Sequence, residues 1–213
     1  MTDLVALFSE YKIVPVVVIE NADQALFLAE LLVEEKLPLM EITFRSAAAA
    51  GAIVAVKKRI GGIAVGAGTL TGRDAIDAAI DAGSDFFVAP GFNPANVQYA
   101  ALKGKCLIPG VSNPSLVEQA MELGLSLLKF FPAEDAGKTG MLKAFKSVYP
   151  DVSFMPTGGI DLSNIDPYLR LSNVVACGGS WLVNSSLIRE AKWDAIRLLV
   201  REAVAHVKNG VLD

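Results

Sequence analysis

The sequence predicts an α/β protein: a single (β/α)8 TIM barrel domain over residues 1–213, with an extra helix at the N-terminus. Short apolar runs alternate with amphipathic stretches of ten or more residues along most of the 213-residue chain, which is typical of repeated β/α units. No proline-, serine- or glycine-rich linker divides the sequence. Eight such units in a chain of this length match a closed barrel, and an open doubly wound sheet is the alternative.

Eight apolar runs are the candidate strands, and they lie at residues 13–19, 37–43, 62–67, 85–89, 106–109, 125–130, 152–156 and 173–177. Helices are predicted between and around them, for example at residues 2–11, 22–35, 74–82, 114–123, 138–148 and 193–208. Hydrophobic residues make up 53% of the chain. Strands of a parallel sheet that is buried on both faces explain this high share, because they consist of continuous aliphatic runs.

Charge and hydropathy argue against two classes of partner. The formal net charge is −4, and the one basic cluster, Lys57-Lys58-Arg59, suits the last turn of a helix better than a nucleic-acid-binding patch. The longest strand-like apolar run, residues 13–19, is well short of the roughly 18 residues of a membrane span. The first residues also lack a basic segment followed by an apolar one. We therefore expect a cytoplasmic protein that binds neither nucleic acid nor membrane.

The cysteine and histidine content argues against a disulfide framework and a metal-dependent reaction. Cys106 and Cys177 lie in separate predicted strands and are interpreted as small core residues. The single histidine, His206, is in a helical stretch, and one histidine cannot form a multi-histidine metal site. We expect no cofactor and no catalytic metal, although a magnesium ion held by carboxylates remains open.

Lys129 is the strongest candidate for a catalytic residue. It lies inside the apolar run from Leu127 to Phe131 and is followed at once by Pro132. A buried lysine without a partner is costly, and desolvation favours its neutral amine, which is the form that attacks a ketone to give a Schiff base. The alternative is a lysine whose stem is buried while its amine reaches water at the strand end.

Glu41 and Arg45 are predicted to reach the same end of the second strand. Side chains alternate along a strand, so Glu41, Thr43 and Arg45 share one face. A structural ion pair is the alternative interpretation. In a barrel, however, Lys129 also ends its strand at the catalytic face. A carboxylate base and a cationic anion clamp are then the better account of the pair.

Further candidates follow other strands. Thr69 comes after the third strand and Pro90 after the fourth. Loops after the last two strands of a barrel often bind phosphate through backbone amides, and glycine allows an anion to approach closely. Two tight turns would be the structural alternative. The candidates for such a phosphate site are the glycine pairs Gly158-Gly159 and Gly178-Gly179, with Ser180 as a hydroxyl donor; Thr157 directly precedes the first pair.

Seven motifs in this chain resemble one enzyme family. They are Glu41-Ile42-Thr43-Phe44-Arg45, Gly66-Ala67-Gly68-Thr69, Ala89-Pro90-Gly91, Ile108-Pro109-Gly110, Lys129-Phe130-Phe131-Pro132-Ala133-Glu134, Pro156-Thr157-Gly158-Gly159-Ile160 and Gly178-Gly179-Ser180-Trp181. Their order and spacing are similar to those of the 2-keto-3-deoxy-6-phosphogluconate (KDPG) aldolases, which often also cleave 4-hydroxy-2-oxoglutarate (KHG). The block that begins at Lys129 is the most specific of the seven.

The resemblance implies a class I aldolase on a (β/α)8 barrel, a homotrimer without a metal, acting on a small keto acid. It implies that Lys129 forms the Schiff base and that Glu41 transfers protons. By the same resemblance, Arg45 and Thr69 hold the pyruvate carboxylate, Pro90 and Phe131 line the site, and Thr157 influences the face of attack. The residues that the resemblance places at the phosphate end of the substrate are Gly158, Gly159, Gly178, Gly179 and Ser180.

Two alternatives to this activity stay open at the level of the sequence. A 2-keto-3-deoxy-6-phosphogalactonate aldolase would use the same chemistry on a substrate of different configuration at C4. A phosphate-binding barrel that acts as a sensor or an isomerase would not need Lys129. Trapping of a covalent lysine adduct distinguishes the second alternative from an aldolase.

Overall fold

A computed structural model describes residues 2–210, and within these residues the chain forms two compact units. One unit, named here the lysine unit because it contains Lys129, comprises residues 2–14 and 88–179. The other, the glutamate unit, contains Glu41 and comprises residues 15–87 and 180–209. The sequence-based expectation of one domain for the whole chain stays a prediction.

Helices and strands follow the predicted alternation. Up to the middle of the chain the elements are α1 (Thr2–Tyr11), β1 (Ile13–Val17), α2 (Ala22–Glu34), β2 (Leu39–Thr43), α3 (Ala49–Arg59), β3 (Ala64–Gly68), α4 (Arg73–Asp81), β4 (Phe86–Val88) and α5 (Pro94–Leu102). They continue as β5 (Leu107–Ile108), β6 (Gly110–Val111), α6 (Pro114–Glu122), β7 (Leu127–Phe130), α7 (Lys138–Val148), β8 (Ser153–Pro156), α8 (Asp166–Leu169), β9 (Cys177–Gly179), a 3-10 turn (Trp181–Val183), α9 (Ser185–Arg189) and α10 (Trp193–Gly210).

The glutamate unit is built on a parallel sheet in the order β4, β3, β2, β1. The register places Val16 of β1 beside Glu41 of β2, and Thr43 of β2 beside Gly68 of β3. Every residue of β2 is buried. This confirms the explanation given for the high hydrophobic share, since strands covered on both faces favour uninterrupted apolar sequence.

Ion pairs join α2 and α10 within the glutamate unit. Glu35, at the C-terminal end of α2, accepts hydrogen bonds from Arg201 at 2.8 and 2.9 Å and from Arg197 at 2.9 Å. The hydrogen bonds from Arg201, followed by those from Arg197, lower the pKa of the Glu35 carboxyl to about 2. The pairing therefore persists well into the acid range.

The lysine unit contains a parallel sheet in the order β6, β7, β8. Lys129 of β7 pairs in register with Gly110 of β6 and with Met155 of β8. Isolated bridges between Phe154 and Val174 and between Thr157 and Gly178 extend the pairing toward β9. All these pairs are parallel, and together with the intervening helices they confirm the predicted α/β class.

The predicted strands differ from the observed ones by one or two residues at their ends, and two regions differ further. The run at 106–109 contains only β5, and Pro109 separates it from β6 at Gly110–Val111, because proline has no N–H to donate to a ladder. The run at 173–177 was expected to be the last strand, but β9 is Cys177–Gly179. Within the predicted run, Val174 makes only an isolated bridge to Phe154, whereas the Cys177 N–H, at the start of β9, donates to the Lys12 carbonyl at 2.8 Å. Gly178 and Gly179 thus lie in the strand and not after it.

Several compositional features have a definite place in the structure. Lys57, Lys58 and Arg59 form the last turn of α3, as predicted. Cys106 is partly exposed, Cys177 is buried, and both are free. Among residues 2–210, no helix combines the length and apolar character of a membrane span, and no group of three or more acidic, histidine or cysteine side chains is arranged to hold a metal ion.

Candidate active site

Lys129 is buried in the lysine unit, as its sequence context predicted. The residue is 5% exposed, and its backbone N–H donates to the Pro109 carbonyl at 2.9 Å. Its Nζ lies 5.2 Å from the centre of the Phe131 ring, which is within the range of a cation–π contact. The structure therefore brings two of the predicted site residues, Lys129 and Phe131, into direct contact.

Pro90 is held close to the strand that flanks Lys129. The Ala89 N–H, one residue before Pro90, donates to the Ile108 carbonyl at 2.9 Å. The Pro90 carbonyl occupies the space that a Cβ atom would need at Gly110, and Gly110 is the residue of β6 that pairs with Lys129. Glycine at position 110 thus lets the loop after β4 approach β6 closely.

Glu41 is fully buried in the middle of β2. Its carboxylate lies over Gly68 of β3, and a Cβ atom at that position would overlap with Glu41 Oε1. The carboxylate can occupy this position because residue 68 of the neighbouring strand is a glycine. The motif Gly66-Ala67-Gly68-Thr69, noted from the sequence for its resemblance, contains the glycine that makes this room.

Thr43 connects Arg45 to the sheet of the glutamate unit. The buried Thr43 hydroxyl donates to the Val17 carbonyl at 3.0 Å and accepts from Arg45 Nε at 3.2 Å. Arg45 itself lies beyond the end of β2, in a turn, and is exposed. The predicted common face of Thr43 and Arg45 is confirmed. Holding a guanidinium through one nitrogen restricts its orientation before an anion binds.

A cavity of about 240 Å³ in the glutamate unit brings Arg45 together with Ser180. The two residues are distant in sequence and were predicted to act on opposite ends of one substrate. The cavity is lined by Val16, Val18, Arg45, Ser180, Val183, Asn184 and Ser185. A guanidinium and several hydroxyl and amide groups around one small cavity suit an anionic ligand.

The sequence-based search missed Asn184 and Ser185, which line this cavity. Asn184 caps α9, and its side chain accepts from the Ser186 N–H at 2.8 Å and from the Ser186 hydroxyl at 2.7 Å. An asparagine followed by serines is a common start of a helix. That signal predicts a cap but gives no reason to expect a cavity.

Thr69 follows β3 with an unusual backbone conformation. Its φ is +61°, in the left-handed region that a β-branched residue rarely occupies. Such strain persists only where the surrounding structure imposes it, and it is concentrated at functional sites. The strained backbone of Thr69, next to the Gly68 that makes room for Glu41, agrees with the prediction that Thr69 is a site residue.

The glycines of the predicted phosphate loop have left-handed backbone angles. Gly158 has φ +104° and Gly159 has φ +76°, which other residues adopt only under strain. Thr157, just before them, is buried, and its side chain fills the space that a Cβ atom would need at Gly178. The structure thus brings Thr157, Gly158, Gly159 and Gly178 together in the lysine unit.

The chain is similar to KDPG aldolases over most of its length. The KDPG and KHG aldolase family matches residues 5–199. A 2-dehydro-3-deoxy-phosphogluconate aldolase from Haemophilus influenzae is 45% identical over 199 residues, which are 93% of this chain and 94% of the relative.

Two solved structures have the same fold. The KDPG aldolase of Legionella pneumophila, with pyruvate captured at low pH as a covalent carbinolamine intermediate, is 34% identical with a TM-score of 0.90, over 93% of this chain and 97% of that one. The Zymomonas mobilis KDPG aldolase with 3-phosphoglycerate is 36% identical with a TM-score of 0.91, over the whole of both chains. These matches confirm the predicted fold class, which is TIM-barrel-like.

Proposed function

This chain belongs to the KDPG and KHG aldolase family, and we propose that it is a class I aldolase that reversibly cleaves KDPG to pyruvate and glyceraldehyde 3-phosphate. The observation that carries the proposal is the burial of Lys129 on β7 beside the Phe131 ring. A lysine kept out of water is suited to covalent catalysis on a ketone. In the related Legionella enzyme, pyruvate is captured as a carbinolamine.

We propose that Lys129 starts the reaction by attacking the C2 ketone of the substrate. The resulting carbinolamine loses water and becomes a protonated imine, which serves as an electron sink. Cleavage of the C3–C4 bond sends its electron pair into this imine and gives an enamine. Protonation of the enamine at C3, followed by hydrolysis, releases pyruvate and restores the free amine of Lys129.

Glu41 is the proposed proton-transfer group. It takes the proton of the C4 hydroxyl, in our proposal through a water molecule, so that the departing fragment leaves as an aldehyde. Its burial in β2 and its close packing on Gly68 support this role. A carboxylate with restricted freedom loses little entropy when it reaches the geometry of proton transfer.

Arg45 and Thr69 are the proposed ligands of the pyruvate carboxylate. The guanidinium of Arg45 is oriented through Thr43 and lines a cavity of the glutamate unit. Arginine suits this role because its planar fork matches a carboxylate. The strained backbone of Thr69 supports a functional role for the turn after β3.

The remaining predicted residues are proposed to bind the rest of the substrate. The left-handed backbones of Gly158 and Gly159 support a phosphate site at this loop. The family resemblance supports including Gly178, Gly179 and Ser180 in it. The Zymomonas relative contains 3-phosphoglycerate. Pro90 and Phe131 are proposed to line the pyruvate end, and Thr157 is proposed to set the face on which the enamine is attacked.

A comparison of substrates tests the proposed activity. Purified protein should release pyruvate from KDPG, measured with a coupled lactate dehydrogenase assay, and more slowly release pyruvate from KHG. A chelator should leave both rates unchanged, because the imine replaces a metal as electron sink. Faster cleavage of the phosphogalactonate epimer would reassign the enzyme to that substrate. No release from any of the three keto acids would favour a sensor or an isomerase.

Replacing Thr43 by valine should weaken substrate binding with little effect on turnover. Valine keeps the shape of threonine but removes the hydroxyl that orients Arg45. We expect KM for KDPG to rise about tenfold, the usual effect of one lost hydrogen bond to a charged group, and kcat to change less than about threefold. Thr43→Ser keeps the hydroxyl and should restore KM. An equal loss in both variants would indicate a packing defect instead.

We also propose that the protein is a homotrimer in the cytoplasm. The oligomeric state is supported by the family resemblance. The location is supported by the proposed substrate, because a phosphorylated keto acid is charged and does not cross a bilayer unaided. Light scattering coupled to size-exclusion chromatography measures the number of subunits directly.

A further inference from the structure

Glu134, Tyr168 and Lys138 form a cluster in the lysine unit that the proposed mechanism does not use. The Tyr168 hydroxyl donates to Glu134 Oε1 at 2.5 Å, and Lys138 Nζ lies 3.2 Å from Glu134 Oε2. Tyr168 is 1% exposed. The hydrogen bond from Tyr168, with a smaller contribution from Lys138, holds the pKa of the Glu134 carboxyl below its ordinary value. A hydrogen bond from a buried hydroxyl to a carboxylate is among the stronger hydrogen bonds of a protein.

Glu134 also lies directly against the loop proposed to bind phosphate. Its backbone N–H donates to the Gly158 carbonyl at 3.2 Å, and the Ala133 N–H donates to the Thr157 carbonyl at 2.8 Å. A Cβ atom at Gly159 would be 2.7 Å from Glu134 Cγ. The backbone and the aliphatic part of Glu134 therefore support the loop from one side.

The other side of the loop is tied to the chain that leads into α8. Asn164 Nδ2 donates to the Gly159 carbonyl at 2.9 Å, and Asn164 Oδ1 accepts from the Asp161 N–H at 2.8 Å. Tyr168, on α8, then reaches back to Glu134. Gly158 and Gly159 thus lie between Glu134 on one side and the segment that leads into α8 on the other. The hydrogen bond from Tyr168 to Glu134 links the two sides. Glycine has the largest backbone freedom, so a glycine pair needs such support to keep one conformation.

We propose that Tyr168, acting through Glu134, is a positioning residue that sets the preference of the enzyme for phosphorylated substrates by holding the Gly158–Gly159 loop in its binding conformation. This inference rests on the proposed function. A loop that must be ordered on binding reduces affinity only for ligands that contact it. Loosening it therefore weakens binding of the phosphate and leaves the chemistry on the pyruvate fragment intact.

Tyr168→Phe tests the inference, because it removes the hydroxyl and keeps the ring. We expect kcat/KM for KDPG to fall about tenfold, mainly through KM, as for one lost hydrogen bond to a charged group. Exchange of the pyruvate methyl protons with deuterated water requires the Schiff base but no phosphate, and it should stay within about twofold of the wild-type rate. Inhibition of KDPG cleavage by inorganic phosphate should weaken in parallel with KM.

The chain contains a matched control for this change. Tyr149 donates to Glu118 at 2.8 Å in the same unit, so Tyr149→Phe deletes the same kind of hydrogen bond away from the glycine loop. It should change neither KDPG cleavage nor pyruvate exchange. If Tyr168→Phe does not fold, Glu134→Gln replaces it. This change keeps the packing on Gly159, weakens the bond from Tyr168, and should give a smaller loss confined to KDPG.

Each outcome bears on one of the two proposals. An unchanged KM for KDPG in Tyr168→Phe, or an equal loss in cleavage and in pyruvate exchange, would overturn the positioning role. Wild-type protein that neither cleaves KDPG nor exchanges pyruvate protons would instead overturn the proposed function. A KM effect of the same size in Tyr149→Phe would show that the loss reflects general loosening of the unit, and would also remove the role from Tyr168.

Discussion

Lys129→Ala is expected to abolish aldolase activity, with a loss of at least about 10⁴-fold in kcat/KM, because alanine has no amine with which to form the imine. Wild-type protein incubated with pyruvate and borohydride should gain the mass of one reduced pyruvate. Peptide mapping should locate the adduct on Lys129. The variant should bind no label under the same conditions.

Lys143→Ala is the matched control for this experiment. Lys143 is an exposed lysine of α7 in the same unit, so its loss should affect neither labelling nor cleavage. Circular dichroism of Lys129→Ala should match that of the wild type, which would show that the loss of activity does not come from unfolding. Label on another lysine of an active preparation would refute the assignment of Lys129.

Glu41→Gln should lower kcat by roughly 10²–10⁴-fold while the protein still folds and still traps pyruvate on Lys129, as expected for loss of a positioned proton-transfer group. The amide has the size of the carboxylate, so the close packing on Gly68 is preserved. Exchange of pyruvate methyl protons with deuterated water reports enamine formation separately from C–C cleavage, and it should slow in parallel.

Gly68→Ala gives an independent check of the same role. The added methyl group would occupy the place of Glu41 Oε1, so it should displace the carboxylate and reduce kcat without changing any ionisable group. Glu30→Gln, on the exposed surface of α2, is the neutral control. If Glu41→Gln retained near-normal cleavage and exchange, Glu41 would be a structural residue and proton transfer would have to be assigned to another group.

The parts of the fold that depend on local patterns were predictable from the sequence. The observed boundaries of α2, α6 and α7 lie within one residue of those predicted from the amphipathic pattern. A helix begins and ends largely according to its own caps and its apolar face, which are local features of the sequence. The burial of Lys129 was equally predictable, since aliphatic and aromatic neighbours in a short strand leave a lysine little access to water.

Strand ends were less predictable, because a strand exists only where a partner offers matching hydrogen bonds. The apolar run at 173–177 marks burial correctly, yet the last strand begins at Cys177, where pairing with Lys12 becomes possible. Pro109 separates β5 from β6, which lies beyond the predicted run, because proline lacks the N–H that a continuous ladder would need. Burial is encoded along the chain, whereas register depends on residues far away in sequence.

The sequence by itself determined the fold class, the lysine at the centre of the candidate site and the motifs that define the family. Only the tertiary structure showed that Thr43 orients Arg45, that Gly68 makes room for Glu41, and that Tyr168 anchors Glu134 beside the glycine loop. The physical reason is that hydrophobic periodicity and sequence motifs depend on residues that are close together in the sequence. A hydrogen bond or a steric gap between side chains remote in sequence is set by how strands and loops pack, and no local pattern encodes that packing.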